Sequence, residues 1–190
     1  MNNLSRLKKE IEETIANSKV PEDPDHARNT LDWVLKLKPD ADETLQIAAL
    51  GHDIERAIRD SNFRRQAHHS YDAFKEAHAE KSAAILRDMI LRYNLPHGFA
   101  EEVYRLVARH ERGGCPRSDI LKDADSLSFF EVNLPAYFER EGWEGSEERC
   151  RWGYERLSPT RRRILETFDY ENPSVTRLVR KILREKGHSL

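Results

Sequence analysis

Leu4, Leu7, Ile11 and Ile15 recur at steps of three and four residues, which predicts an amphipathic helix over residues 4–17. Val20-Pro21-Glu22-Asp23-Pro24 interrupts it, with Asp23 placed as an N-cap and Pro24 at the first helical position of a second helix. That helix runs to about Lys38 and carries His26, Trp33 and Leu37 on one stripe. Pro39-Asp40-Ala41-Asp42 reads as a turn and a new cap, and Leu45, Ala48, Ala49 and His52 form the stripe of the third helix. Residues 58–70 have no clean period and read as a loop or short irregular helix holding Arg59, Arg64, Arg65, His68 and His69. A fourth helix over about 71–93 aligns Phe74, His78, Ile85 and Met89, and Asn94-Leu95-Pro96 ends it. A fifth over about 98–111 groups Phe99, Val103, Leu106, Val107 and His110 before Gly113-Gly114. A sixth, from about Ser118, aligns Leu121, Asp125 and Phe129 and is kinked or ended at Pro135. Gly142 to Glu147 reads as a surface loop, and Ser158-Pro159 and Asn172-Pro173 announce two more helices, the last ending at Gly187.

The pattern is all-α throughout, and 190 residues with 8 Gly, 8 Pro and no β-branched run fit a single domain of helices. The chain is 38% hydrophobic and 35% charged, with mean hydropathy −0.81, so it is polar yet has residues enough for a core. A formal net charge of −2 gives no global drive toward nucleic acid or an acidic membrane, and no apolar run approaches a membrane span. The first residues lead into a charged amphipathic helix and not an apolar signal segment, so the expected compartment is cytoplasmic. Cys115 and Cys150 suit that reducing compartment and read as ordinary thiols. The basic run Arg161-Arg162-Arg163, with Arg177, Arg180, Lys181 and Arg184, is interspersed with Glu155, Glu166 and Glu185, which reads as a solvated helical face more readily than a nucleic-acid surface.

The chemistry concentrates around Ala48-Ala49-Leu50-Gly51-His52-Asp53-Ile54-Glu55, where a buried apolar segment ends in two adjacent groups able to bind a metal. A divalent cation compensates both, because neutral imidazole and carboxylate are among its usual ligands. Each of His26, His52, His78 and His110 taken alone reads more readily as a satisfied core histidine than as a ligand. Their recurrence on successive apolar stripes, together with Asp125, favours ligands. Asp125 shares a stripe with Leu121 and Phe129, whereas Asp123 projects about 200° away and is expected to face outward or to touch only the ligands.

His26, then His52-Asp53 within Leu-Gly-His-Asp-Ile, then Asp125 within Asp-Ala-Asp-Ser-Leu resembles the HD superfamily of metal-dependent phosphohydrolases. His78 in His-Ala-Glu-Lys-Ser-Ala and His110 in Val-Ala-Arg-His-Glu resemble the subset of that superfamily that holds two metals. The resemblance covers about residues 20–135, leaving about 136–190 as a C-terminal helical extension. Where many members continue His-Asp-x-Gly-Lys, this chain has Ile54-Glu55-Arg56, and Ser126 stands where many have a basic residue; both departures bear on substrate class.

The resemblance implies an HD-domain-like helical bundle with a first metal on His26, His52, Asp53 and Asp125, and Asp53 bridging to a second on His78 and His110. Mixed nitrogen and oxygen ligation with open positions suits Mn, Fe, Mg, Co, Ni or Zn alike. Such an ion acidifies water and steadies charge on phosphoryl oxygens, so the expected substrate is a nucleotide or other small phosphate ester. Asp53 and Glu55 are the catalytic candidates, with Glu55 either protonating a leaving group or standing as a solvated helix carboxylate. Arg56, Arg64, Arg65 and Lys81 are either phosphate contacts or a solvated basic surface. Two other classes stay open: an HD-type di-iron oxygenase, and a non-catalytic metal-stabilised helical module that docks a protein or RNA.

Overall fold

The computed structural model describes residues 2–58 and 69–188, and among these there are helices and turns but no strand. The chain is an all-α bundle of α1 (Asn3–Ile15), α2 (Asp23–Leu37), α3 (Glu43–Gly51), α4 (Glu55–Ile58), α5 (Tyr71–Arg92), α6 (His97–Val107), α7 (Pro116–Ser128), α8 (Leu134–Arg156) and α9 (Pro173–Glu185). Several helices begin where the sequence supplies an acceptor for their unpaired N–H groups. Asn2 accepts from Ser5 N–H, Asp42 from Leu45, Ser70 from Ala73 and Asn172 from Ser174.

α2 packs on α3 and α7, α3 on α6, and α5 on α6, so the helices bearing the candidate ligands are mutual neighbours. One apolar core runs from Leu7 and Ile11 of α1 to Ile182 and Leu183 of α9, with Phe130 and Leu127 fully buried within it. Gly51, at the end of α3, lies so near α5 that a Cβ there would come within 2.6 Å of the Leu86 side chain. The last turn before His52 therefore approaches α5 closely because it lacks a side chain. On α9, Arg177, Arg180 and Arg184 are exposed while Val175, Leu178, Val179, Ile182 and Leu183 are buried. No helix among the described residues is long and apolar enough to cross a membrane.

The structure differs from the sequence pattern at several ends. Asp23 is inside α2 and makes no cap; its carboxylate pairs instead with Ser18 and Arg56. α6 stops at Val107, which puts His110 and Glu111 on the turns that follow and not on the helix. α7 passes into a π turn over Phe129–Asn133, and Pro135 falls in the first turn of α8, where its missing N–H costs little. Glu131 of that turn accepts from Trp33 Nε1 at 2.7 Å and Asn29 Nδ2 at 3.0 Å, fixing it to α2. The stretch Gly142 to Glu147 is not a surface loop: only Gly142 leaves helical geometry, at φ 69°, and Ser146 is buried. Ser158-Pro159 leads to a short 3-10 helix over Arg162–Thr167 in place of an α-helix.

Candidate metal centre

The ends of α3 and α6, the middle of α5, the start of α2 and the last half of α7 meet in one buried polar cluster. His26, His52, His78 and His110 are all buried within it. Each imidazole has its Nδ1 tied to a different partner. His52 Nδ1 lies 2.9 Å from the Ala49 carbonyl and His110 Nδ1 2.7 Å from the Val107 carbonyl, so both must donate. His78 Nδ1 lies 2.7 Å from Glu55 Oε2. His26 Nδ1 lies 2.9 Å from Ser128 Oγ, and that hydroxyl in turn donates to the His26 carbonyl, so the ring is the donor here also. The same consequence follows for every ring: Nδ1 is engaged from behind, and Nε2 is turned toward the cluster. Histidines that hold a metal are oriented in this way by carbonyls, carboxylates and hydroxyls behind them.

The Nε2 atoms meet two carboxylates. His26 Nε2 is 3.1 Å and His52 Nε2 3.4 Å from Asp125 Oδ1, and the two nitrogens are 3.2 Å apart. Asp53 Oδ1 is 2.7 Å from His78 Nε2 and 3.8 Å from both His52 Nε2 and His110 Nε2, and Oδ2 is 4.0 Å from His26 Nε2. Ligand atoms of His26, His52 and Asp125 all lie within 4.8 Å of one another, as do those of Asp53, His78 and His110. Asp53 thus faces both trios. These buried His/Asp groups can hold a metal ion.

Charge in the cluster is strongly coupled. Burial disfavours an imidazolium at His52, but Asp53 and Asp125 outweigh it and hold the ring up at about 9. Burial also opposes ionisation of Asp53, yet His52 and His78 keep its carboxyl well below the usual range. Asp125 behaves alike, with Arg156 the largest force offsetting burial. Positive charge on the rings balances carboxylates that have left water, a task that a bound cation would also perform.

Arg56 reaches the centre, but it clamps carboxylates: Nη1 donates to Asp53 Oδ2 at 2.9 Å and Nη2 pairs with Asp23 Oδ1 at 2.9 Å. Glu55 is fully buried against His78 Nδ1, which corrects the picture of a solvated carboxylate and gives it a positioning contact behind a ring. Lys81 is half-buried on α5, three residues beyond His78. Arg64, Arg65, Arg59 and His68 lie outside the described residues, and His69 is exposed. Asp125 sits in the cluster as its stripe predicts. Asp123 does not face outward: it is buried on another side of α7, where Oδ1 accepts from Ser158 N–H at 2.8 Å.

Sequence reasoning missed three charged residues beside the centre. Arg156 of α8 donates to Asp125 Oδ2 at 2.7 Å and to the His110 carbonyl at 3.2 Å. Glu111 lies 3.1 Å from His110 Nε2 and pairs with both Lys75 and Arg156. Nothing periodic marks Lys75 or Arg156, but His110-Glu111 repeats the histidine-acid doublet of His52-Asp53 and was legible as such.

An all-helical bundle with four oriented imidazoles and two carboxylates at its heart defines a protein with a buried metal-capable centre. The chain belongs to the family described as a domain of unknown function, DUF4202, whose model matches residues 7–179. No curated protein and no solved structure matches the chain.

Proposed function

We propose that this protein is a metal-dependent phosphohydrolase of the HD type that acts on a nucleotide or another small phosphate ester. The observation that carries the reading is the orientation of the rings: every Nδ1 is tied off, and every Nε2 points at Asp53 or Asp125. His26, His52 and Asp125, with Asp53, would hold one ion, and Asp53, His78 and His110 a second. A divalent ion bound there supplies Lewis acidity toward water and a phosphoryl oxygen. Arg56 holds the Asp53 carboxylate in place, and Glu55 fixes the tautomer of His78. Lys75 and Arg156 pair with Glu111 and Asp125 beside the centre and hold those carboxylates in place.

The test is a panel of nucleotides, cyclic nucleotides and phosphomonoesters offered with Mn, Mg, Co, Ni, Zn and Fe, beside metal analysis of the protein as isolated. Phosphate-ester cleavage that needs a divalent ion and disappears in Asp53→Ala is the expected result. A metal-loaded protein inert toward the whole panel would count against hydrolysis. Two trios, both faced by Asp53, also suit a di-iron oxygenase. Two irons per chain with a visible absorption band, and oxygen uptake, would move the reading to that class.

A further inference from the structure

His110-Glu111 rebuilds at the end of α6 what His52-Asp53 builds at the end of α3. In each case the helix has just stopped, at Val107 and at Gly51. In each the ring Nδ1 returns to the carbonyl three residues back, Val107 at 2.7 Å and Ala49 at 2.9 Å. In each the next residue is an acid whose carboxylate approaches the Nε2 atoms: Asp53 Oδ1 lies 3.8 Å from His52 Nε2, and Glu111 Oε1 3.1 Å from His110 Nε2.

The six-residue centre uses Asp53 and leaves Glu111 without a role, although the Glu111 side chain is only 6% exposed. Among the described residues, His110 Nε2 and both Glu111 carboxylate oxygens lack a hydrogen-bond partner. With its proton committed to Val107, His110 presents a lone pair on Nε2, and the carboxylate oxygen opposite presents another. Two buried acceptors at that distance repel unless a proton or a metal cation lies between them. Lys75 and Arg156 meet Glu111 as ion pairs, Arg156 at 3.2 Å, yet neither relieves the nitrogen. Ligand atoms of His110, Glu111 and Asp125 lie within 4.8 Å of one another, so one ion can touch all three.

We propose that Glu111 is a seventh ligand of the centre and gives a carboxylate oxygen to an ion shared with His110 and Asp125. The inference rests on the metal reading above and extends it. A third carboxylate shifts the ligand set toward oxygen, which suits a hard divalent ion such as Mn²⁺. Lys75 and Arg156 then compete with that ion for the Glu111 oxygens.

The experiment is calorimetric titration of Mn²⁺ into metal-stripped wild type, Glu111→Gln, Lys75→Gln and the double variant, with circular dichroism melts to confirm folding. Glu111→Gln is expected to weaken Mn²⁺ binding at least about tenfold, the low end of what loss of even an outer partner of a ligand costs, or to lose one ion per chain. Lys75→Gln is expected to tighten binding by releasing Glu111, and that gain is expected to vanish in the double variant. An ion pair with a merely structural role would lower the melting temperature in both single variants and leave the gain out. Should Glu111→Gln not fold, Glu111→Asp and Lys75→Gln decide the matter: wild-type Mn²⁺ affinity in both overturns the proposal. A folded Glu111→Gln with wild-type stoichiometry and affinity also overturns it. Failure of the wild type itself to take up Mn²⁺ or any other divalent ion would instead remove the metal reading on which it stands.

Discussion

Asp123 and Asp125 are two positions apart on α7 and both buried, yet they answer to different neighbours. Asp125 Oδ1 faces His26 and His52, and its Oδ2 accepts from Arg156, so replacing its charge removes a ligand and one of the two carboxylates that pair with a buried guanidinium. Asp123 accepts one backbone N–H from Ser158, a bond that an amide oxygen can keep. Asp125→Asn is therefore expected to lose most of the metal affinity, whereas Asp123→Asn keeps it and costs less than about 1.5 kcal/mol of stability; metal titration and urea unfolding of the two variants separate the cases. Glu55 poses a similar question behind His78. Glu55→Ala strands the His78 Nδ1 proton and is expected to weaken metal binding by about 10–100-fold, while Glu55→Gln, still able to accept that proton, loses much less. Equal affinities in the two variants would mean that the ring is held by something else. The inward placing of Asp125 was legible from its stripe with Leu121 and Phe129. The burial of Asp123 was not, because helical spacing separates faces without saying that both are covered, and only the path of the chain after α8 brings Ser158 onto the second face.

Helix ends matter more to this centre than helix middles. His52 and His110 follow the last residues of α3 and α6, where the carbonyls of Ala49 and Val107 take the ring protons, that of Val107 alongside the His110 backbone N–H. A periodic reading places both rings on a stripe correctly but runs the helix through His110, since periodicity does not report where a helix stops. The close approach of α3 to α5 depends on Gly51. Gly51→Ala would drive a methyl into the Leu86 side chain, which is fully buried, so a loss of about 1–3 kcal/mol is expected by urea denaturation. Unchanged stability would mean that α3 and α5 can separate without cost. The same substitution also moves His52 away from α5, so metal affinity should fall with stability. The π turn and the kink at Gly142 escaped the sequence reading for a shared reason: proline and glycine mark a departure from regular helix but not whether the chain leaves the helix or only bends.

At the scale of the molecule, α1 and α9 contribute to the same core as the ligand-bearing helices, and Arg156 of α8 reaches Asp125 from far along the chain. The all-α class was plain in the sequence, and so was the set of histidines, because both rest on local spacing. Lys75 and Arg156 were hidden because their partners are chosen by packing between distant helices. A centre that balances buried carboxylates with a cation couples metal to folding. Chelation is accordingly expected to lower the melting temperature, and titrating metal back should raise it in step with RT ln(1 + [L]/Kd); a melting temperature indifferent to chelator would contradict that coupling. The most direct test of the central claim is anomalous X-ray scattering from crystals of the protein grown with Mn²⁺. The account predicts an anomalous peak among the Nε2 atoms of His26 and His52 and the carboxylates of Asp53 and Asp125, with a second beside His78 and His110. Crystals that hold Mn²⁺ in solution around them and show no anomalous density at these residues would contradict it.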